Sequence, residues 1–180
     1  MTSTAEDRTF TAALVQMRSG RDPVRNVADA SALIREAAAA DAKYVQTPEM
    51  TSLLVRDRGE LFAAIGDEDD DPAPTAFRAL AAELGIHLHI GSLPIRVGED
   101  AAANRGFLIA PDGAIAARYD KIHMFDVDLD NGESWRESRT YVPGERAALA
   151  RFSVGGADVR LGFAVCYDMR FPELFRAEAL

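Results

Sequence analysis

The amino-acid sequence predicts an α/β protein whose sheet and helices pack in layers. Two observations support this fold class. Short apolar runs alternate with helical patterns in the first half of the chain, and β-rich runs joined by turns dominate the second half. The chain has 180 residues, of which 48% are hydrophobic. This length is typical of one domain, and such a chain buries roughly 70% of its unfolded surface without disulfide bonds.

Strand and helix patterns alternate over the first fifty residues. Residues 9–17, "TFTAALVQM", form a short apolar run that is typical of a buried strand. Residues 24–37 place Val, Leu and Ile at helical spacing among many alanines, which favour a helix. Residues 43–50, "KYVQTPEM", then predict a second strand that ends in a turn at Pro48.

A loop, a helix and a long strand follow. We interpret the acidic run 67–71 as part of a solvated loop whose Asp and Thr residues cap the next helix. That helix, residues 74–85, ends at Gly85, because glycine readily adopts the left-handed conformation that stops helices. Residues 86–97, "IHLHIGSLPIRV", alternate as a strand does.

The second half of the chain is richer in β-structure. Residues 104–123 contain two β-rich runs about "PDG", where proline presets one backbone angle and glycine allows a positive one. The polar and turn-rich residues 124–156 predict a long irregular segment on the surface. Residues 157–166, "ADVRLGFAVC", predict the last strand. A final helix begins at Pro172, because proline suits the first helical position.

Charge and cysteine content narrow the functional class. The chain carries 29 acidic and 20 basic residues, a net charge of −9, and shows no basic cluster, which disfavours nucleic acid and anionic membranes as partners. A single cysteine cannot form an internal disulfide bond, as is usual in a reducing compartment. The first 17 residues resemble neither a signal peptide nor a membrane span. We therefore expect a cytoplasmic protein.

The only cysteine, Cys166, stands where the last apolar run meets a turn into a helix. Ligands of α/β proteins gather beyond the carboxyl ends of strands, which suits a reactive side chain. The backbone N–H groups of the turn, beginning with Tyr167, could face an anion and favour a thiolate. The alternative is that Cys166 is a small buried hydrophobic residue, as unpaired cysteines often are. Position alone leaves both interpretations open.

Two charged residues stand at the ends of other apolar runs. Glu49 follows the strand that breaks at Pro48, and Lys121 follows "IAARYD". Taken singly, such residues are usually solvated on the surface. Together with Cys166 they supply a base, a cation and a thiol, which are the groups that nucleophilic catalysis by cysteine needs.

Histidines offer two competing interpretations. His123 could pair with the cysteine, and His87 with His89 could place two imidazoles on one face of a strand as metal ligands. No Cys/His cluster with zinc-like spacing accompanies them, and glycine-rich phosphate loops are absent from the sequence. The sequence therefore predicts neither a metal site nor a nucleotide cofactor.

Three segments together resemble a known family. "TPEM", "YDKIHMFDVD" and "GFAVCYDMRFPELFR" are similar to the three signature segments of the nitrilase superfamily of carbon–nitrogen hydrolases, and are closest to its omega-amidase and deaminated-glutathione amidase branch. Members use a Glu–Lys–Cys triad, and the matching residues are Glu49, Lys121 and Cys166. A second family glutamate, which holds the lysine and helps to position substrate, matches Glu137.

The resemblance implies a fold, an assembly and a domain extent. The fold is a four-layer α-β-β-α sandwich, and members usually form dimers or larger homo-oligomers. Residues 1–180 would form the N-terminal two-thirds of a carbon–nitrogen hydrolase domain, with its C-terminal third absent from the chain. The substrate would be a small amide, and neither a metal nor an organic cofactor would be required.

The predicted chemistry is hydrolysis of a non-peptide C–N bond through a thioester. Glu49 would take the thiol proton of Cys166, and Lys121 with the Tyr167 backbone N–H would stabilise the oxyanion. Ammonia would leave, and water activated by Glu49 would hydrolyse the thioester. Two alternatives stay open. The same triad could act on an N-carbamoyl compound or a nitrile, or the chain could be a non-catalytic interaction module.

Overall fold

The computed structural model describes residues 9–179; the first eight residues of the N-terminal segment and Leu180 of the predicted last helix lie outside the described part. One five-stranded sheet, in the order β1-β2-β3-β4-β5, forms its centre. The first three strands run parallel to one another, and β4 and β5 follow antiparallel. The strands are β1 (Thr11–Leu14), β2 (Ala42–Gln46), β3 (His87–Gly98), β4 (Ala101–Ile109) and β5 (Ile115–Asp120).

Four α-helices accompany the sheet: α1 (Pro23–Ala39), α2 (Arg58–Ala64), α3 (Pro72–Leu84) and α4 (Pro172–Ala179). Local signals explain their ends. The side chains of Asp22 and Asp71 cap α1 and α3, and Gly85 stops α3 with a positive φ of 62°. The sequence patterns missed α2, a helix of seven residues that is capped by Asp57. None of the helices within residues 9–179 is long and apolar enough to span a bilayer.

The main core lies between the sheet and two helices. Inward-facing residues of α1 and α3 pack against one face of the sheet. Strand residues alternate between faces, so Val45 joins this core while Tyr44 points to the opposite side. The buried side chains of this core include Ala30, Ile34, Phe77, Leu80, Leu88, Ile90 and Phe107.

A hairpin and the last helix cover the opposite face. β8 (Leu149–Val154) pairs with β9 (Ala157–Gly162), and these strands pack with α4 over a second core that contains Leu108, Tyr119 and Phe163. The layers follow in the order helices, sheet, hairpin and helix. The four-layer α-β-β-α fold that the resemblance implied is therefore confirmed.

Two boundary predictions were wrong. The irregular surface segment predicted for residues 124–156 contains β8 and a second hairpin, which is formed by β6 (Asp126–Asp128) and β7 (Ser134–Arg136). Gly155 and Gly156 both have positive φ and form the two-residue turn that joins β8 to β9. The strand predicted over residues 157–166 already ends at Gly162.

The first strand also differs from the prediction. It lies at the edge of the sheet and is not fully buried, because only one of its faces packs on a core: Ala13 contacts the main core, whereas Leu14 is 77% exposed. A strand with one packed face alternates between buried and exposed residues. The apolar run in the sequence did not distinguish this case from burial on both faces.

The segment after β2 docks along an irregular part of β3. The backbone N–H of Thr51 donates to the carbonyl of Ser92 at 2.9 Å, and that of Ser92 donates to the carbonyl of Pro48 at 3.3 Å. Gly91 permits this approach, because a Cβ atom there would lie 2.3 Å from the carbonyl oxygen of Thr47. The backbone of this segment is thus fixed directly before and after Glu49.

Gly91→Ala should therefore destabilise the protein by about 3 kcal/mol, because backbone atoms of two packed segments would have to separate. The midpoint of chemical denaturation measures this loss. Gly20→Ala is a matched control, since nothing lies within 4 Å of a Cβ at Gly20. Equal stability of the two variants would contradict this account of the close approach.

Candidate active site

Glu49 reaches the site from a strained turn. Met50, the next residue, has φ of 54°, and its backbone N–H donates to the Ser92 side chain at 3.0 Å. A left-handed conformation at a residue other than glycine costs about 1–3 kcal/mol and persists only where its surroundings impose it. Here the docked backbone imposes it and directs the Glu49 side chain into a cleft.

Lys121 enters the same cleft from the end of β5. Its side chain is only 2% exposed, and its ammonium lies 3.3 Å from Oε1 of Glu49. Both carboxylate oxygens of Glu137 lie 3.0 Å from the same ammonium. Burial alone would lower the pKa of Lys121, but its interactions with Glu49 and Glu137 outweigh burial and raise it. Lys121 is therefore a cation held between two carboxylates.

Glu137 begins a short 3₁₀ turn (Glu137–Arg139) directly after β7. One of its carboxylate oxygens also accepts a hydrogen bond from the backbone N–H of Phe125 at 2.7 Å. The hairpin of β6 and β7, which starts at Asp126, thus carries this glutamate to the lysine. The structure accordingly places Glu137 against Lys121, and its role in holding the lysine stays a prediction.

Asn104 on β4 belongs to the same cluster, and the sequence analysis missed it. Its side-chain amide donates to Oε1 of Glu49 at 2.8 Å and, at the longer distance of 3.4 Å, to Oε1 of Glu137. The signal in the sequence was a polar residue directly after three alanines in "AAANRGFLIA". On a buried strand this pattern marks a polar side chain that needs partners.

Cys166 occupies the first position of a 3₁₀ turn, Cys166–Arg170, with φ of 50°. Asp168, which is fully buried, holds this turn. Its carboxylate accepts hydrogen bonds from the backbone N–H of Val165 at 2.9 Å and from the hydroxyl of Tyr119 at 2.7 Å. The strained backbone presents the cysteine to solvent at the edge of the cleft.

His123 is directed to the turn and not to the thiol. Its backbone N–H and its Nδ1 bind Asp168 at 3.0 and 2.7 Å, and its ring stacks on Phe171 with 3.6 Å between centroids. The Cys–His interpretation is therefore not supported. Tyr167 packs its ring edge-on against Phe125 and Phe171. The role of its backbone N–H stays a prediction.

His87 and His89 line an aromatic core. The hydroxyl of Tyr44 lies 2.6 Å from Nδ1 of His89, and burial lowers the pKa of His89 to about 4. The ring of His87 packs on Phe152. Within residues 9–179, no three His, Cys, Asp or Glu side chains are grouped so that they could hold a metal ion. The two histidines have packing partners that account for their burial.

The cleft has a volume of about 650 Å³, which suits a small-molecule ligand. Cys166, Glu49, Lys121 and Glu137 all line it. Partial burial and the nearby Glu49 carboxylate raise the pKa of the Cys166 thiol, while Lys121 lowers it, and the net shift is upward. The other lining residues are Met50, Leu53, Leu54, Val55, Arg56, Phe125, Trp135, Arg136, Thr140 and Tyr141.

Comparison with known proteins decides the family. Residues 11–180 match the family described as Carbon-nitrogen hydrolase. The chain belongs to the carbon–nitrogen hydrolase family. It is 38% identical over 168 residues to a deaminated glutathione amidase of Yersinia enterocolitica and 34% identical over 167 residues to the human omega-amidase NIT2. Each alignment covers 92% of this chain and 57% of the relative, so the chain spans little more than half of these proteins.

Solved structures of this carbon–nitrogen hydrolase family share the fold. An amidase from Nesterenkonia sp. aligns with a TM-score of 0.77 and 28% identity over 95% of this chain and 60% of its own. The NitFhit protein of C. elegans aligns with the same TM-score and identity over 91% of this chain and 39% of its own. The resemblance to the nitrilase superfamily and its amidase branch is confirmed by these likenesses.

The charges around Cys166 in this carbon–nitrogen hydrolase predict opposite effects of two substitutions on thiol ionisation. Glu49→Gln should shift the pH dependence of alkylation by iodoacetamide to lower pH, because a carboxylate that disfavours the thiolate is removed. Lys121→Met should shift it to higher pH. Mass spectrometry of the single cysteine measures the rate. Glu83→Gln on the exposed face of α3 is the control, and shifts in the same direction for both site variants would contradict the geometry.

Proposed function

We propose that this carbon–nitrogen hydrolase cleaves a small amide by attack of Cys166, with release of ammonia. One observation carries the proposal: a cysteine, two carboxylates and a buried lysine line a single cleft. The raised pKa of Cys166 means that the resting side chain is a thiol. A thiol must lose its proton before it attacks, and Glu49 is the carboxylate beside it with one oxygen still available.

The proposed reaction proceeds by acyl transfer. Glu49 accepts the thiol proton, and the sulfur adds to the amide carbon to give a tetrahedral oxyanion. The Lys121 ammonium and the backbone N–H of Tyr167 stabilise the oxyanion. Glu49 returns the proton to the departing nitrogen, ammonia leaves and a thioester remains. Water activated by Glu49 then hydrolyses the thioester and regenerates the thiol.

A related structure supports cysteine as the nucleophile. A variant of the Nesterenkonia sp. AN1 amidase, with glutamine in place of glutamate, shows covalent addition of the acetamide moiety of fluoroacetamide at the active-site cysteine. That structure aligns with a TM-score of 0.79 and 26% identity over 99% of this chain and 64% of its own. Cys166 is the only cysteine of the present chain, so the proposal assigns it the same place.

Cys166→Ala should abolish ammonia release from small amides, because no other side chain in the cleft can form the thioester. Glu49→Gln and Lys121→Ala should each lower kcat by about 10²–10⁴, the usual contribution of a general base or an oxyanion donor. A coupled ammonia assay measures both effects. Full activity in Cys166→Ala would refute the proposal, and inactivity of the unaltered protein on every amide would favour the interaction module.

The cleft wall favours amides that carry a carboxylate. Arg136 donates to both oxygens of Asp128 at 2.6 Å. Arg56 forms no ion pair with any of the described residues, and its guanidinium lies 4.7 Å above the ring of Trp135. Stacked in this way, Arg56 can bind a planar anion. This supports an omega-amide acid over an uncharged nitrile as substrate; N-carbamoyl acids remain the alternative, which product analysis separates.

Arg56→Gln should raise KM about tenfold for an amide with a terminal carboxylate and leave KM for an uncharged amide of equal length unchanged. Steady-state kinetics on the two substrates give the comparison. Arg58→Gln is the matched control, because Arg58 binds the carbonyl of Asp100 and lies outside the cleft lining. A similar rise of KM for both amides would rule out an anion-binding role.

The resemblance supports a homo-oligomer as a further part of the proposal. The lone cysteine is consistent with a cytoplasmic location, which the proposal also includes. Light scattering of the purified protein measures its mass in solution, and fractionation of cells measures its location.

A further inference from the structure

Asn104 is the one uncharged side chain that joins the two site carboxylates among the residues that the structure describes. It is fully buried on β4, and its amide nitrogen lies 2.8 Å from Oε1 of Glu49 and 3.4 Å from Oε1 of Glu137. Its backbone carbonyl accepts a hydrogen bond from the backbone N–H of Lys121 at 3.0 Å. Asn104 is therefore hydrogen-bonded to all three charged residues of the cluster, Glu49, Glu137 and Lys121.

The orientation of the amide follows from charge. If the amide were reversed, its carbonyl oxygen would face two carboxylate oxygens, which repel it. When the amide nitrogen faces the two carboxylates, its N–H groups donate to Glu49 and Glu137. The amide oxygen Oδ1 then has no hydrogen-bond partner among residues 9–179. A buried oxygen without a donor costs folding free energy and calls for an explanation. Two donors aimed at the site carboxylates supply that explanation.

The hydrogen bonds distinguish the two oxygens of Glu49. Oε1 accepts from Asn104 and from Lys121, the latter at 3.3 Å. No nitrogen or oxygen donor among the described residues binds Oε2, and the Cys166 thiol hydrogen-bonds to this carboxylate. Both oxygens of Glu137, by contrast, are occupied by Lys121, with Phe125 binding one of them. Oε2 of Glu49 is therefore the carboxylate atom of the cluster that is open to a new proton.

We propose that Asn104 is a positioning residue that fixes Oε1 of Glu49 and thereby presents Oε2 to the thiol of Cys166. The inference rests on the proposed role of Glu49 as base. In the step that it serves, the S–H bond breaks, Oε2 gains the proton, and the sulfur keeps the electron pair with which it attacks the amide carbon. Asn104 does not line the cleft and acts through Glu49.

Kinetics of Asn104→Leu test the proposal, because leucine keeps the approximate volume and has no donors. We expect kcat to fall about 10- to 100-fold, the usual effect of losing a hydrogen bond to a charged group, with little change in KM. The acid limb of the pH profile should move to higher pH, since a carboxylate that has lost a donor takes up a proton more readily.

Asn26→Ala is the matched control. Asn26 is also buried, but it binds the carbonyls of Gly20 and Ser52. It should lower the melting temperature and leave the acid limb in place. An equal shift of the acid limb in both variants, or a normal kcat in Asn104→Leu, would overturn the positioning role.

A second measurement needs neither activity nor an altered Asn104. In ¹⁵N–¹H spectra, the side-chain amide signals of Asn104 should exchange slowly with solvent and move in both Glu49→Gln and Glu137→Gln, while those of Asn26 stay unchanged. Signals of Asn104 that move in neither variant would refute the contact. If they move but the unaltered protein cleaves no amide, the amidase function fails and the contact stands.

Discussion

The ion cluster around Lys121 is the constraint on which the rest of the site depends. A buried ammonium is stable only if opposite charges and hydrogen bonds replace the water that it loses. Glu49 and Glu137 supply those charges from segments that are 72 and 16 residues away along the chain. Each of these segments must therefore reach its final place before the cluster is neutralised, so the fold and the charge arrangement stabilise each other.

The turn that bears Cys166 is attached to the strand β5, which leads directly to Lys121. Tyr119 on β5 and His123 just beyond it bind Asp168, two residues after Cys166. Lys121 lies between them in sequence. One strand thus fixes the cation and, through Asp168, the turn that bears the sulfur. Two points of attachment, at Tyr119 and His123, therefore flank the lysine and fix the place of the Cys166 turn relative to it.

The sequence allowed part of this arrangement to be predicted. Glu49, Lys121 and Cys166 each end an apolar run, and strand ends meet at one edge of a sheet, so their convergence had a local signal. Asn104 had only the weak signal of a polar residue after three alanines, and Asp168 had none, because the importance of both comes from partners distant in the chain. The strand β8 escaped prediction, although Gly155 and Gly156 mark the turn that joins it to β9, and only the strand containing β9 was predicted. Leu14 shows the same limit, since an apolar run does not reveal whether one face or both will be covered.

The state of the resting thiol bears on how the protein withstands oxidants. Peroxides react with the thiolate form of cysteine, and the first product, a sulfenic acid, can proceed to irreversible sulfinic and sulfonic acids. Cys166 is exposed, yet its raised pKa keeps the sulfur protonated at neutral pH. An accessible cysteine in this state is a thiolate in only a small fraction of the molecules. Partial burial and the nearby Glu49 carboxylate thus protect Cys166 from oxidation by peroxides.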